Sequence, residues 1–462
     1  MQGNVLGQTG SSLKINGLIE EYTVASGGNV NAGDFVSFVN DSISNENEFE
    51  VNNNTGGNSC DISAVLLNEN KVFVAYSSSD YYLCGVICTI DDKNVTVSNA
   101  TQLSSISRSG YTYKSVTVLD NNTVFIAHSV ESSFYLYGII CTIDGTEITT
   151  GTDTKLSSLF YSGHLVSTTK LTSNKVFVTV GSSGSGYLYG LICTIDGTEI
   201  TTGISTEICN REGYHYNLSV VALNENKIFI ICSDNNSSSR SLYGTVCTVD
   251  GTTIIQGTST YLGKTSYYKN TAKTVLLSEN KVFVVRIVKN NNDEYYIYGI
   301  ICTIDGTTIT KGVDTQLFKC AHSLEYAEIS VTALDTDKIF IVDSRNEALL
   351  CVIEETTIKT VENLKFSNVN GFTYQPSIAK VNKDKALIVY VSSEGILYGI
   401  IMQHRLSGIT KSTTDQILGV SKTKGKEGEI AQVYVPEVEH YLLTEDGNQL
   451  LDEEGEIIKC IL

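Results

Sequence analysis

The chain has 462 residues with 32 basic and 51 acidic side chains, a formal charge of −19, 41% hydrophobic residues, two prolines and no tryptophan. A charge of that sign repels phosphate backbones, so nucleic acid is not an expected partner. No stretch of eighteen apolar residues occurs, so no membrane insertion is expected, and MQGNVLGQTGSSLK at the start lacks the basic and apolar regions of a Sec signal peptide.

Residues 1–48 carry short apolar alternations separated by Gly and Asn turns, which predicts a small β unit. A repeat then takes over. Each copy opens with two strands joined by a polar turn, as in AVLLNENKVFVAY from Ala64, TVLDNNTVFIAH from Thr117 and VALNENKIFII from Val221. Alternate residues on both faces of Val72 to Tyr76 are apolar, the pattern of a sheet sandwiched between two others. A Ser/Asn-rich connection leads to a third strand whose fullest form, LYGIICTIDGTEIT, starts at Leu136. The Asp-Gly pairs at Asp144, Asp196, Asp250 and Asp305 predict type I′ hairpin turns into a fourth strand, decayed to Asp91-Asp92 and Glu354-Glu355 in two copies.

Aligned on the third strand, the copies fall at Cys88, Cys141, Cys193, Cys247, Cys302, Cys351 and Met402, in steps of 53, 52, 54, 55, 49 and 51 residues. A period near fifty suits one four-stranded propeller blade per repeat, and seven copies predict seven blades over residues 49–416. Phe49-Glu50-Val51 resembles the end of a fourth strand, which suggests that the N-terminal side closes the ring. Residues 417–462 depart from the repeat, and in a closed ring they emerge beside residues 1–48. The expected fold is therefore all-β: a seven-bladed propeller inserted into one discontinuous β domain formed by both termini. An open solenoid, with the flanks far apart, is the alternative.

The flanks carry a family resemblance. AGDFVSFVND (residues 32–41) with LGVSKTKGKEGEIAQVYVP (residues 418–436) resembles a pattern at the two ends of virion proteins of phages that infect Gram-positive bacteria, among them capsid-decoration barrels and tail-fibre or tail-tip proteins. The acidic LLTEDGNQLLDEEGEII near the end is similar to tails on phage appendages. The resemblance implies a virion or phage-tail-like particle protein, made in the bacterial host cytoplasm, docked by its terminal domain on other particle proteins. It also implies a homo-oligomer on the particle and a propeller facing a bacterial surface glycan or protein. A decoration protein without a receptor role is an alternative.

Alternation of strands puts two of each blade's connections on one edge and two on the other. One set is short and uniform; the other varies in length and is rich in aromatics, a division that points to recognition on the varied side. Its candidate ligand-binding residues are Tyr111, Tyr113, Tyr161, His164, Tyr214, His215, Tyr216, Tyr267, Tyr268, His322, Tyr326, Phe372 and Tyr374. Tyrosine offers rigid area and a hydroxyl at low entropic cost, although a recurrent Gly-Tyr-x-Tyr can equally wedge between blades. The six repeat cysteines read as buried thiols acting as small hydrophobes, and the lack of a CxxC pair speaks against zinc. No cofactor is expected. A polysaccharide-degrading propeller enzyme is the other alternative, but no converging carboxylates, GxSxG or P-loop are found.

Overall fold

A computed structural model describes residues 17–23, 29–30, 35–39, 42–55, 61–106, 113–130, 135–157, 165–181, 187–210, 217–234, 240–265, 271–290, 292, 294–320, 328–367, 374–405, 408–411, 419–421, 425–426, 430–436, 440–441 and 459–460. The chain divides into two compact units, residues 43–403 and residues 1–42 with 404–462.

The larger unit is a seven-bladed β-propeller. In its second blade the strands Lys114–Asp120, Thr123–Val130 and Tyr135–Asp144 lie side by side, antiparallel. The fourth is in two pieces, Glu147–Thr150 and Thr154–Lys155, each paired with one half of the third strand. Five of the first six blades repeat this plan; in the sixth, Thr357–Lys365 runs unbroken.

The alternation expected from the sequence has a specific use. The second-strand phenylalanine of one blade and the third-strand cysteine of the next enter the same apolar cluster. Phe73 meets Cys141, Phe125 meets Cys193, Phe177 meets Cys247, Phe229 meets Cys302 and Phe283 meets Cys351. Each such cluster is a dry seam between two blades, and Met402 fills the thiol's place opposite Phe340. Burial pushes the thiols of Cys88, Cys141, Cys193, Cys247, Cys302 and Cys351 up to about 12, so they stay protonated and act as packing groups. In the first five blades the glycine three residues before the cysteine makes room for the second-strand phenylalanine: a Cβ on Gly190 would stand 2.3 Å from Ile208 and 2.8 Å from Phe177.

The ring closes as the Phe49-Glu50-Val51 match suggested. The seventh blade comprises Tyr374–Lys380, Lys385–Val391 and Leu397–Arg405, and its fourth strand comes from Ser42–Asn45 and Phe49–Asn52. Phe49 pairs with Gly399, and Asn52 with Leu397. Ser42–Asn45 thus pairs into the blade's sheet, and the compact units meet along the chain at 42/43 and 403/404. Gly408–Lys411, the strand that would follow in the repeat, pairs instead with Phe35–Val39 in the other unit.

Lysines from the uniform turns strap neighbouring blades together. The ammonium of Lys71 donates to the carbonyl of Gly145 in the next blade (2.7 Å), Lys281 to that of Glu355 (3.0 Å) and Lys385 to that of Asp92 (3.1 Å), the last joining blade seven to blade one.

The hairpin between third and fourth strands corrects one expectation. Asp144 pairs with Glu147, so Gly145 and Thr146 are the two turn residues and the aspartate ends the strand. Only Gly145 has positive φ (62°), and Gly197, Gly251 and Gly306 repeat it at 58°, 60° and 61°. Positive φ at the first central residue alone is the type II′ pattern, not I′. Asp92 and Glu355 occupy the same place at 52° and 55°.

In the smaller unit, Gly17–Thr23, Ile430–Pro436, Gly419–Ser421, Phe35–Val39 and Gly408–Lys411 form one five-stranded sheet. Strands from both ends of the chain pair within it, Phe35 with Val420 and Gly17 with Pro436, which rules out the open solenoid.

Candidate functional site

First strands of the seven blades line a central channel with a cavity of about 230 Å³. At the same position in six of them stands a serine whose Oγ accepts a hydrogen bond from a main-chain N–H of the next blade. Val116 donates to Ser63, Thr168 to Ser115, Val220 to Ser167, Thr274 to Ser219, Ile378 to Ser330 and Ala64 to Ser377, at 2.9 to 3.3 Å. The exposed inner edge of each blade, with its unpaired amides, is satisfied in this way by its neighbour. Blade five breaks the pattern, because Lys273 stands where the serine would be.

Four charged groups gather where the first strands begin: Asp61, Lys114, Lys273 and Glu328, from blades one, two, five and six. Lys114 is buried; its ammonium donates to the Asp61 carbonyl and to Ser77 Oγ (3.0 Å), and its main-chain N–H to the Asp61 carboxylate (2.7 Å). Loss of solvent raises the Asp61 carboxyl, partly offset by Lys114, and depresses the Lys273 ammonium, partly offset by Asp61 and Glu328. Lys273 is only partly exposed and protein surrounds it, so its charge is poorly screened.

This end of the channel lies on the edge from which the aromatic connections leave. Each of those connections runs from the end of a fourth strand to the start of a first strand, and antiparallel order places both on one edge. Of the candidate residues, Tyr113 is 7% exposed and packs with Leu165, Phe177 and Leu218 in the seam between blades three and four. Its ring is a wedge rather than free surface. Tyr374 begins the first strand of blade seven, opposite Val391. Tyr111, Tyr161, His164, Tyr214, His215, Tyr216, Tyr267, Tyr268, His322, Tyr326 and Phe372 lie outside the described residues.

Third-strand tyrosines of the recurrent Leu/Ile-Tyr-Gly add a second aromatic set that sequence reasoning treated only as strand. Tyr137, Tyr189, Tyr243, Tyr298 and Tyr398 are all half-buried, and several pair with other rings, Tyr243 with Tyr261 at 5.7 Å between centroids and Tyr187 with Tyr189 at 6.0 Å. Cations cover others: the Lys155 ammonium stands 3.2 Å over the Tyr135 ring. Beside them a buried second-strand position changes chemistry from blade to blade. His128 there contacts Asp153 at 2.8 Å and Arg286 contacts Asp314 at 2.8 Å, both aspartates occupying one repeat position. Among the described residues no group of three or more His, Cys, Asp or Glu is placed to hold a metal ion.

No family model and no curated protein matches the sequence. Among solved structures, the BP39L lectin from Burkholderia pseudomallei is similar at TM-score 0.50 and 10% identity, over 76% of this chain and 96% of that one. AofleA from Arthrobotrys oligospora (TM-score 0.44, 10% identity, 71% and 92% covered) and the N-terminal domain of Nup159 (0.44, 11%, 81% and 100%) also align. The first of these likenesses agrees with the propeller fold traced above.

Proposed function

We propose that this chain is a non-enzymatic recognition protein that binds a glycan at the varied edge of its propeller. The observation that carries the reading is the convergence of that edge: the ends of the aromatic connections, the third-strand tyrosines and the charged mouth of the channel all belong to one side of the blades. Half-buried tyrosines suit sugar rings, since an aromatic face packs on C–H groups while the hydroxyl exchanges hydrogen bonds. A lectin of similar fold makes a glycan the first ligand to test.

The resemblance of the flanking motifs to phage virion proteins supports a place on a phage or phage-tail-like particle. There the terminal unit docks on the particle and the propeller meets a bacterial surface glycan. The decisive experiment presents a glycan array and host envelope polysaccharide to the protein and to a variant with Tyr214, His215 and Tyr216 all changed to Ala. Binding by the parent and a loss of at least tenfold in the variant, with unchanged thermal melting, is expected. Equal binding by both would move the site off this edge, and new reducing ends in the polysaccharide would show an enzyme instead.

A further inference from the structure

We propose that the central channel is itself a binding site, and that it takes a single uncharged sugar ring end-on, held between Lys273, Asp61, Glu328 and the serine ring. This deepens the glycan reading and rests on it. Six blades show what the inner position needs for structure alone, a serine that accepts the neighbour's amide. Lysine at 273 gives up that hydroxyl bridge and brings an ammonium into the field of the Asp61 and Glu328 carboxylates at the channel mouth. The exchange is not needed for the inner bridge that the other six blades make, and it gives this mouth a mixture of donors and acceptors on which the proposed site is built.

The chemistry of the lining selects the ligand class. Two carboxylates and two ammonium groups leave the mouth without net charge, and a chain of −19 attracts no anion from a distance. Carboxylates accept from hydroxyl groups, while Lys273 donates. The serine oxygens already accept an amide, so their own O–H hydrogens can turn toward the channel as donors; Ser115 alone among them lies beside another side-chain hydroxyl, 2.9 Å from Thr168 Oγ1. A ring that alternates donors and acceptors at every carbon matches that mixture. The cavity of about 230 Å³ is smaller than the roughly 300–1,000 Å³ that holds a drug-sized ligand, and so suits one ring rather than an oligosaccharide.

Lys273→Ser provides the test, because it restores the residue the other six blades carry and should keep or raise thermal stability. Saturation-transfer NMR with glucose, galactose, mannose, fucose and N-acetylglucosamine, each at millimolar concentration, would be run on the parent protein, on Lys273→Ser and on Glu328→Gln. A signal from at least one sugar in the parent, weakened at least tenfold in either variant, is the expected result. If Lys273→Ser fails to fold, Glu328→Gln decides. Parental signal undiminished in the folded variants, or no monosaccharide signal in a parent that still binds polymeric glycan, overturns the channel site and leaves the edge reading standing. A parent that binds no glycan of either kind overturns both.

Discussion

Asp343 shows how much a single buried group can set the pH response of this protein. It ends the second strand of blade six, fully buried, with Oδ1 accepting the main-chain N–H groups of Arg345 (2.9 Å) and Glu347 (3.2 Å). Oδ2 is buried without a hydrogen-bond partner among the described residues. Loss of solvent is the dominant cause that lifts the carboxyl from 3.8 to about 6. A carboxyl raised on folding favours the protonated native state, so its penalty is absent below about pH 4, grows as pH rises, and is full above about pH 6. A shift of that size is worth about 3 kcal/mol. Asp343→Asn keeps the Oδ1 acceptor and removes the charge. It should raise the melting temperature at pH 7.5 and leave it little changed at pH 4, as thermal melts across that range would show; an equal effect at both pH values would refute the assignment.

At the scale of the element, two recurrent glycines look alike in sequence and differ in consequence. Gly145 sits at a positive φ of 62° with nothing within 4 Å of a would-be Cβ, and Asp92 and Glu355 tolerate the same conformation elsewhere in the ring. Gly145→Ala therefore meets only the left-handed backbone cost of about 1–2 kcal/mol. Gly190 has ordinary φ, but its Cβ would collide with Ile208 and the Phe177 ring, both part of the seam between blades three and four. Overpacking of this kind typically costs about 1–3 kcal/mol or more, and here the displaced groups are fixed by two blades. Urea titration should rank Gly190→Ala below Gly145→Ala in stability, and the reverse order would mean that the seam yields more easily than its packing implies. The Phe-to-Cys seams were legible because both residues recur at a fixed phase in a strand of period two. The turn was misread because Asp-Gly suits either hairpin type until the pairing of Asp144 with Glu147 fixes which residues are central. The charged channel mouth was missed for a different reason: Asp61, Lys114, Lys273 and Glu328 are spread over more than 260 residues of sequence, and each looks like one ordinary variation within its own repeat. Laying the first strands in register would have exposed Lys273 against six serines. Ser42–Asn45 was not legible as a blade strand because it is short, polar and unlike repeat text, and backbone pairing alone places it in blade seven.

Across the whole propeller, the ring is closed by strands that are distant in sequence, and this is where its cooperativity should be most exposed. Phe49–Asn52 completes blade seven more than 340 residues before the strand it pairs with, Phe49 lying against Gly399 and Val51 6% exposed in the seam between blades seven and one. Around it, Ala64 reaches Ser377 and Lys385 reaches Asp92 across the same junction. Loss of the closing strand would leave part of the third strand of blade seven with an unpaired edge and open the seam between blades seven and one to water. Phe49→Ala together with Val51→Ala should destabilise the propeller by about 2–5 kcal/mol, since Val51 is buried but Phe49 only partly so and falls short of the roughly 3–5 kcal/mol of a fully buried phenylalanine. Hydrogen exchange read by mass spectrometry should show the loss first in Leu397–Arg405 and in Ile62–Asn68 of blade one, with Leu218–Asn224 on the far side of the ring protected longest. If all seven blades lose protection together, opening the closure is the same event as global unfolding. If Leu397–Arg405 keeps its protection in the double variant, the ring is held shut by the inner serine bridges and lysine straps alone, and the closing strand has no such role.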